Sequence, residues 1–307
     1  MSDTAFLPFL THEALLALIE EGLGASVPAE EARYAHGRTP APLAEAMRYS
    51  LLAGGKRLRP ALLLRTVEML GGDLAEALAP ACALEMIHTY SLIHDDLPGM
   101  DDDDLRRGRP TNHKVYGVGI AILAGDGLLN AAYELMLRNA LRYPARLGRH
   151  VAAIEEIGRR AGGAGMIGGQ CMDVLSEGAA GDESLLSYIH LHKTAGLLTA
   201  PVVAGGLLCG ADAGQLSALE RYGRCLGLAF QIVDDLLDEE GDAAAMGKAT
   251  GADARRHKLT WPALLGASAA RTKVDALRQE AAGALRPFGG AAKELLAMAD
   301  RLTSRKA

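Results

Sequence analysis

The chain has 307 residues, of which 49% are hydrophobic and 23% are charged, a composition that suits a globular protein with a large buried core. Its net charge is −6, and no basic stripe follows a helical period, which excludes the surface expected of a nucleic-acid-binding protein. The first ten residues lack the basic start of a secretory signal peptide, so we expect a cytoplasmic protein.

Apolar residues at helical spacing predict three helices in the N-terminal third. They are Thr11–Leu23, with Thr11 as its N-cap, then Leu43–Leu52 and Leu58–Leu70. The last two flank Gly55-Lys56-Arg57-Leu58-Arg59-Pro60. Lys56 and Arg59 can share a face at a helix start, and Gly55 lets the backbone approach an anion there. The alternative interpretation is an ordinary basic helix boundary.

The fourth predicted helix, Leu74–Leu97, ends in the stretch from His94 to Pro110, which is rich in aspartate and arginine. Three aspartates can aim hard oxygen ligands at one point, as Mg²⁺ prefers: Asp95, Asp96 and Asp101. Arg106 and Arg107 follow, and guanidinium groups match phosphate oxygens in pairs. The stretch therefore predicts a metal-bridged diphosphate site. A solvated acidic turn is the alternative.

Two side chains precede the aspartates on the same helix. Because a helix rises about 1.5 Å per residue, Tyr90 lies roughly 7.5 Å and Ser91 about 6 Å below Asp95. Whatever binds at Asp95 has Tyr90 as a candidate floor. The alternative is that Tyr90 is an ordinary core residue.

The middle of the chain predicts more helices, rich in small residues. They are Tyr116–Leu141, broken at Asp126, then Val151–Ala164, leading to Gly168-Gly169-Gln170, and Ser184–Gly210, carrying Lys193-Thr194. The uncharged run between Lys193 and Asp212 reaches the lower limit for a membrane span. Pro201 and the Gly205-Gly206 pair interrupt it, so we expect a buried core helix and no membrane span. Four dispersed cysteines, with no C-x-x-C pair, indicate buried thiols: Cys82, Cys171, Cys209 and Cys225.

A second acidic group lies on the predicted helix Leu216–Asp238. One face of this apolar helix presents an amide and three carboxylates at positions i, i+3, i+4 and i+7: Gln231, Asp234, Asp235 and Asp238. Such a face is costly unless a cation binds it, and the alternative is a solvent-facing polar stripe. The following stretch, Glu239–His257, indicates a mobile loop or lid with Lys248 and Lys258 at its ends.

Two weaker helices are predicted to begin at Trp261 and Ala291. No segment alternates with period two, so the fold class is all-α. We expect residues 1–307 to form a large single-domain helical bundle around a central cavity, with the motifs in a body of about residues 43–262.

Five separated motifs, in order, resemble those of the all-trans polyprenyl diphosphate synthases, most closely the bacterial short-chain farnesyl diphosphate synthases. They are Gly-Gly-Lys-Arg-Leu-Arg-Pro, the Asp-rich stretch from Asp95, Gly-Gly-Gln at Gly168, Lys-Thr at Lys193, and Phe-Gln-Ile-Val-Asp-Asp-Leu-Leu-Asp from Phe230. The resemblance runs from about Gly54 to Pro262. It implies an isoprenoid synthase fold and a homodimer.

The resemblance also implies a role for each site residue. Asp95, Asp101 and Asp234 ligate three Mg²⁺ ions, for which Mn²⁺ can substitute, and Asp96, Asp235 and Asp238 bind metal directly or through water. Arg106, Lys193 and Lys248 hold the allylic diphosphate. Lys56, Arg59, His88 and Arg107 hold isopentenyl diphosphate. Gly55 and Lys258 complete the substrate-binding set.

The implied reaction is ionisation of the allylic diphosphate, attack by isopentenyl diphosphate on the resulting cation, and loss of a proton. Thr194 and Gln231 offer oxygen dipoles to the cation, and the cavity must exclude water. Dimethylallyl and geranyl diphosphates are the expected primers, and (2E,6E)-farnesyl diphosphate is the expected product. Geranylgeranyl or geranyl synthesis is the alternative within the family. A non-catalytic partner subunit and a terpene cyclase are further alternatives, and the second diphosphate site argues against the cyclase.

We expect product length to depend on Tyr90, with small Ser91 beside it. An aromatic five residues before Asp95 resembles the farnesyl producers and should block a fourth isoprene unit. In contrast, the stretch Thr111-Asn112-His113-Lys114 is similar to that of geranylgeranyl synthases. We give the ring more weight because it would touch the growing chain.

Overall fold

The computed structural model describes residues 9–27, 39–178, 181–240 and 259–304. Within these ranges the chain is helical except for its loops and two strands of two residues each. The first α-helices are α1 (His12–Ser26), α2 (Ala41–Leu51), α3 (Leu58–Met69), α4 (Leu74–Asp95), α5 (Asn112–Tyr116), α6 (Val118–Arg142) and α7 (Leu147–Ala161). The later ones are α8 (Met166–Leu175), α9 (Glu183–Ile189), α10 (Gly196–Cys209), α11 (Ala213–Glu240), α12 (Trp261–Leu265), α13 (Ala267–Ala284) and α14 (Lys293–Thr303).

Shorter elements join these helices. A π-helical segment, His190–Ala195, connects α9 to α10, and 3₁₀ turns occupy Pro144–Arg146 and Arg286–Ala292. Strands β1 (Leu105–Arg106) and β2 (Arg109–Pro110) pair antiparallel in a small hairpin. The all-α prediction is confirmed. The hairpin was not predicted, because two-residue strands are too short to show a period-two pattern.

The predicted helix boundaries are correct to within a few residues where a cap or a glycine defines them. Thr11 caps α1 as predicted, because its hydroxyl accepts a hydrogen bond from the Ala14 amide at 3.2 Å. The predicted break at Asp126 is wrong. Helix α6 continues through Asp126, whose side chain is exposed on the helix surface and interrupts no backbone hydrogen bond.

Two compact units are present, and each has its own core. Unit 1 comprises Met1–Asp102, Thr111–Ile154 and Ala204–Ala211. In this unit α4 packs against α1, α3 and α6, and α3 buries Leu62, Leu63 and Leu64 completely. Unit 1 carries the first acidic motif at the end of α4.

Unit 2 comprises Asp103–Pro110, Glu155–Val203 and Asp212–Ala307. Here α11 packs against α13 and against the π-helical segment. Its core includes Leu186, Ile232, Leu236, Trp261 and Val274. Unit 2 carries the second acidic motif, on α11. That the whole chain forms one domain around a cavity stays a prediction.

The predicted buried core helix after Lys193 is confirmed, because residues 196–206 of α10 are all buried. Among the residues described, α6 alone is long and apolar enough to cross a membrane, a test that core helices of soluble proteins also pass. This helix packs against α4 and carries Asp126, Glu134 and Arg138. Charged side chains of this kind are costly in a bilayer.

All four cysteines are free thiols. Cys82 and Cys225 are buried, as predicted, and burial raises the pKa of Cys82 to about 12. Cys209 is half-buried. The prediction of a buried thiol is wrong for Cys171, which is exposed because α8 turns that side of the helix to solvent.

Candidate active site

The first acidic motif is shaped by the main chain after the end of α4. The loop folds back, so that the Asp101 amide donates to the Asp95 carbonyl at 2.7 Å and the Met100 amide donates to the Leu97 carbonyl at 2.8 Å. Asp95 and Asp101 are half-buried, and Asp96 is buried. The turn thus brings Asp101 to the end of α4, beside Asp95.

The donor set at this turn suits a hard cation. Among the described residues, no three histidine, cysteine, aspartate or glutamate side chains converge into a preformed metal cage. Mg²⁺ needs no such cage, since one or two carboxylates suffice when water and substrate phosphate oxygens complete the octahedron. Asp95 and Asp101 therefore fit Mg²⁺, and their role as ligands stays a prediction.

In the basic motif before α3, Arg57 has a structural role that differs from that of its neighbours. Arg57 is the N-cap residue, with a left-handed φ of 46°, and its guanidinium is buried. It donates to Glu20 at 2.7 Å, to Glu85 at 3.0 Å and to the Leu51 carbonyl at 2.9 Å. Burial alone would lower the pKa of Arg57, but these carboxylates raise it above its ordinary value. Arg57 therefore anchors the loop.

The neighbours of Arg57 are less buried than Arg57 itself. Lys56 is exposed and Arg59 is half-buried in the first turn of α3. Gly54 and Gly55 have φ values of 79° and 134°, which L side chains rarely adopt, so this turn requires glycine. The predicted pair, Lys56 and Arg59, is thus presented at a helix N-terminus by a buried anchor.

Arg106 and Arg107 lie in the β1–β2 hairpin of unit 2. Arg107 and Gly108 form its turn, with φ values of 53° and 73°. Arg106 lies in β1, and its Nη2 is 3.5 Å from Oδ2 of Asp103. The hairpin therefore gives the two adjacent arginines different backbone conformations.

The candidate chain-length residues lie near the end of α4. Tyr90 is 5% exposed, and its ring meets the His94 ring edge-on at 5.7 Å. Burial, with the negative potential of Tyr133 and Asp95, raises the pKa of Tyr90 to about 12. Ser91 and His88 are half-buried, and the Ser91 hydroxyl donates to the His88 carbonyl at 2.9 Å.

The stretch Thr111-Asn112-His113 makes structural hydrogen bonds to another helix. The Asn112 amide donates to the Ala46 carbonyl at 2.8 Å and to the Ser50 hydroxyl at 2.9 Å, which ties α5 to α2. All three residues are buried. This stretch therefore anchors a helix within unit 1.

The second acidic motif is held by side chains rather than by a turn. Thr194 Oγ1 donates to Gln231 Oε1 at 2.6 Å, and Gln231 Nε2 donates to Asp235 Oδ1 at 2.8 Å. Asp235 and Asp238 are each 4% exposed, whereas Asp234 is half-buried. The alternative of a solvent-facing stripe is therefore excluded for Asp235 and Asp238. Asp234 keeps the exposure that a metal ligand needs.

Glycines bring the backbone of the Lys193–Thr194 segment close to its neighbours. A Cβ on Gly169 of α8 would lie 2.2 Å from the Lys193 amide nitrogen, and one on Gly227 of α11 would lie 2.4 Å from Ala195 Cα. No side chain fits at either position. The Gly-Gly-Gln motif therefore lies inside α8 as a packing surface for the π-helical segment.

Three residues near this site were missed by the sequence analysis. Asp173, one turn after Gly169, is buried and accepts a hydrogen bond from the Lys193 ammonium group. Trp261 Nε1 donates to His190 Nδ1 at 3.0 Å, and the Trp261 amide donates to Asp235 Oδ2 at 3.2 Å. The signal for Asp173 was an acid within an apolar helix, but local sequence offered none for His190 or Trp261.

Some of the predicted site residues lie outside the described structure, and one predicted loop boundary differs from it. Lys248 and Lys258 lie outside the described residues, as do residues 241–257 of the predicted lid. Glu239 and Glu240 were assigned to that loop but belong to the last turn of α11. The two acidic motifs belong to different units, and their joint action stays a prediction.

Comparisons with known proteins identify the family of this chain. The family model described as polyprenyl synthetase matches residues 40–285. The chain is 53% identical over 236 residues to a farnesyl diphosphate synthase of Geobacillus stearothermophilus, covering 76% of this chain and 79% of that protein. It is 45% identical over 293 residues to a chloroplastic geranylgeranyl pyrophosphate synthase of Arabidopsis thaliana, covering 94% of this chain and 79% of that protein.

A solved structure has the same fold. The apo FPP/GFPP synthase from Zymomonas mobilis superposes with a TM-score of 0.82 at 35% identity, covering 94% of this chain and 96% of that one. The agreement extends well beyond the motif-bearing segment.

Proposed function

Since this chain belongs to the polyprenyl synthetase family and is a prenyltransferase, we propose that it condenses isopentenyl diphosphate head to tail with allylic diphosphates and stops at (2E,6E)-farnesyl diphosphate. The proposed primers are dimethylallyl and geranyl diphosphate. The observation that carries the proposal is the bonded set of Thr194, Gln231 and Asp235 next to Asp234 and Lys193. This set combines oxygen dipoles for a cation with charges for a leaving diphosphate.

Different side chains stabilise the two charges that form when the allylic diphosphate ionises. Lys193 is oriented by Asp173, and its ammonium charge favours the diphosphate more as the allylic C–O bond breaks. Thr194 and Gln231 place oxygen atoms where positive charge develops on carbon. The proposed step requires the apolar helices to exclude water, which would otherwise quench the cation. The released diphosphate can then accept the proton lost from the condensed chain.

We propose Mg²⁺ as the cofactor, three ions per site, with Mn²⁺ as a substitute. Asp95 and Asp101 would be ligands in unit 1, and Asp234 would be a ligand in unit 2. When bound, the metal neutralises charge on the diphosphate oxygens. Lys56, Arg59, His88 and Arg107 would hold isopentenyl diphosphate, and Arg106 with Lys248 would assist Lys193 at the allylic diphosphate.

The proposed product length rests on the Tyr90 ring. Its burial close to the first acidic motif supports a closed floor below the allylic chain. The Thr111–Lys114 stretch, which is similar to that of geranylgeranyl synthases, is tied to α2 through Asn112. Geranylgeranyl and geranyl products remain the alternatives, because this chain resembles a relative named as a geranylgeranyl pyrophosphate synthase as well as one named as a farnesyl diphosphate synthase.

We further propose a cytoplasmic homodimer without nucleic-acid partners. Helix α6 supports a second copy as partner, since it exposes several large apolar side chains on its surface: Ile122, Leu123, Leu137 and Leu141.

The test is a product assay with labelled isopentenyl diphosphate, Mg²⁺ and each primer, followed by chromatography. Wild type should stop at fifteen carbons. Tyr90→Ala should deepen the floor and give twenty carbons or more, while Tyr90→Phe, which keeps the ring, should retain the wild-type product. A distribution unchanged in Tyr90→Ala would remove Tyr90 from this role, and absence of any prenyl product from wild type would overturn the proposed function.

A further inference from the structure

A continuous chain of polar contacts runs through the buried part of unit 2 behind Thr194. Trp261 Nε1 donates to His190 Nδ1 at 3.0 Å, and His190 Nε2 lies 3.7 Å from Asp235 Oδ2. Asp235 Oδ1 accepts from Gln231 Nε2, and Gln231 Oε1 accepts from Thr194 Oγ1. The contacts thus extend from an indole in α12 to the hydroxyl of Thr194.

The direction of this chain follows from which groups can only donate or only accept. An indole N–H only donates, so Nδ1 of His190 must be the acceptor, and a neutral ring then carries its proton on Nε2, facing Asp235. A carboxylate only accepts, so the NH₂ end of Gln231 must face Asp235. The amide oxygen therefore faces Thr194, whose hydroxyl donates to it. Thr194 keeps its own lone pairs for another partner.

We infer that His190 and Trp261 are positioning residues that act through Asp235 to keep the oxygen end, rather than the NH₂ end, of Gln231 directed to the Thr194 side of the site. The inference rests on the proposed function, in which Thr194 and Gln231 face the developing carbocation. A flipped amide would present N–H groups to that cation and oppose ionisation.

Burial makes this arrangement rigid. His190 is 5% exposed, Asp235 4% and Trp261 1%, so water does not compete for the Trp261–His190 hydrogen bond or for the contacts of Asp235. The Trp261 amide also donates to Asp235 Oδ2 at 3.2 Å, which fixes the second carboxylate oxygen. Each oxygen of Asp235 thus accepts from an N–H group of the chain. We therefore assign orientation of Gln231 to Asp235.

The experiment is a double-mutant cycle on kcat. His190→Phe and Trp261→Phe each remove one link while preserving a ring, and both should lower kcat roughly tenfold, with the KM of each substrate within about threefold of wild type. His190→Gln can still accept from Trp261 and donate to Asp235, so it should retain most of kcat. In a Gln231→Leu background the effects of His190→Phe and Trp261→Phe on kcat should vanish, because the oriented amide is gone.

The matched control is Tyr222→Phe. Tyr222 is fully buried in the same unit and donates to the Leu295 carbonyl at 2.7 Å, so its loss lowers stability without touching the amide. It should leave kcat at the wild-type value. If His190→Phe does not fold, Trp261→Phe completes the cycle.

The outcomes separate two claims. Effects on kcat that persist undiminished in the Gln231→Leu background, or that are absent altogether, overturn the inference while the enzyme remains a synthase. A wild-type chain that forms no prenyl product overturns the proposed function, and the inference with it.

Discussion

Asp95 and Asp234 each stand first in an Asp-Asp pair, but Asp95 is the last residue of α4 whereas Asp234 lies within α11. After Asp95 the main chain folds back through the 2.7 Å bond from the Asp101 amide. Around Asp234 a network of buried side chains takes over, centred on Asp235. The first motif is thus ordered by a local turn, and the second by long-range packing.

This difference shows how similar acidic pairs depend on different parts of a protein. At the turn, main-chain bonds, which most substitutions leave intact, shape the loop that carries the carboxylates. On α11, Asp235 accepts hydrogen bonds from Gln231 and from the Trp261 amide and lies beside His190, so one substitution affects several groups. We therefore expect the two regions to differ in structural sensitivity while sharing a chemical role.

The largest expected effect is common to both motifs. Asp95→Ala and Asp234→Ala should each lower kcat on the order of 10³-fold at saturating Mg²⁺, because the leaving diphosphate loses neutralising charge. Chelation of the metal should stop turnover. Glu239→Ala, which removes an exposed acid from α11, serves as the control and should retain wild-type turnover. Near-normal kcat in either aspartate variant would show that the motifs are not both required.

Loss of a basic side chain should raise the KM of one substrate and leave that of the other unchanged. Lys56→Ala should raise the KM of isopentenyl diphosphate, and Lys193→Ala that of the allylic diphosphate, each by roughly 10- to 100-fold because a charge-assisted contact is lost. Steady-state kinetics with one substrate varied at a time measures this. Arg221→Ala, a charge loss in an exposed ion pair, should change neither KM. Equal changes of both KM values in both variants would contradict the division.

Substitution of one glycine in each region tests how tightly the backbone is packed around the two acidic motifs. Gly169→Ala places a Cβ against the Lys193 backbone and should reduce the free energy of unfolding by about 1–3 kcal/mol, with loss of activity. Gly99→Ala lies in the loop of the first motif, where no atom of the described residues other than its chain neighbours is within 4 Å of the new Cβ, and should change this free energy by less than about 0.5 kcal/mol. Denaturant titration of the two variants measures both values. Similar losses would remove the contrast in packing.

The smallest effect concerns pH. Burial lowers the pKa of His190 to about 3, from about 6.5 in the unfolded chain, so the unfolded state binds the extra proton first as pH falls. Stability at this site is complete above pH 6.5 and is lost towards pH 3. From pH 7 to 5.5 the loss should be about 1 kcal/mol.

His190→Gln should remove that share of the pH dependence, as measured by denaturant titration at the two pH values. Tyr222→Phe should lower stability at both values and keep the wild-type difference. A His190→Gln variant with the full wild-type difference would show that another group is responsible.

The sequence alone predicted much of this protein, because the relevant signals are local. Helical periodicity predicted the all-α class, and glycines and caps predicted most helix ends. The motifs with Asp95, Lys193 and Asp234 were sufficient for the family resemblance, which the match over residues 40–285 confirms. These features depend on residue type at short spacing, which the chain itself displays.

Only the tertiary structure decided what each residue of a motif does. Adjacent Lys56 and Arg57 look alike in sequence, but Arg57 is buried because Glu20 and Glu85 meet it from two other helices. Asp235 differs from Asp234 because the Trp261 amide, 26 residues later, donates to it. The reason is physical: the burial and polarity around a side chain are set by partners distant in the chain, and local periodicity carries no information about them.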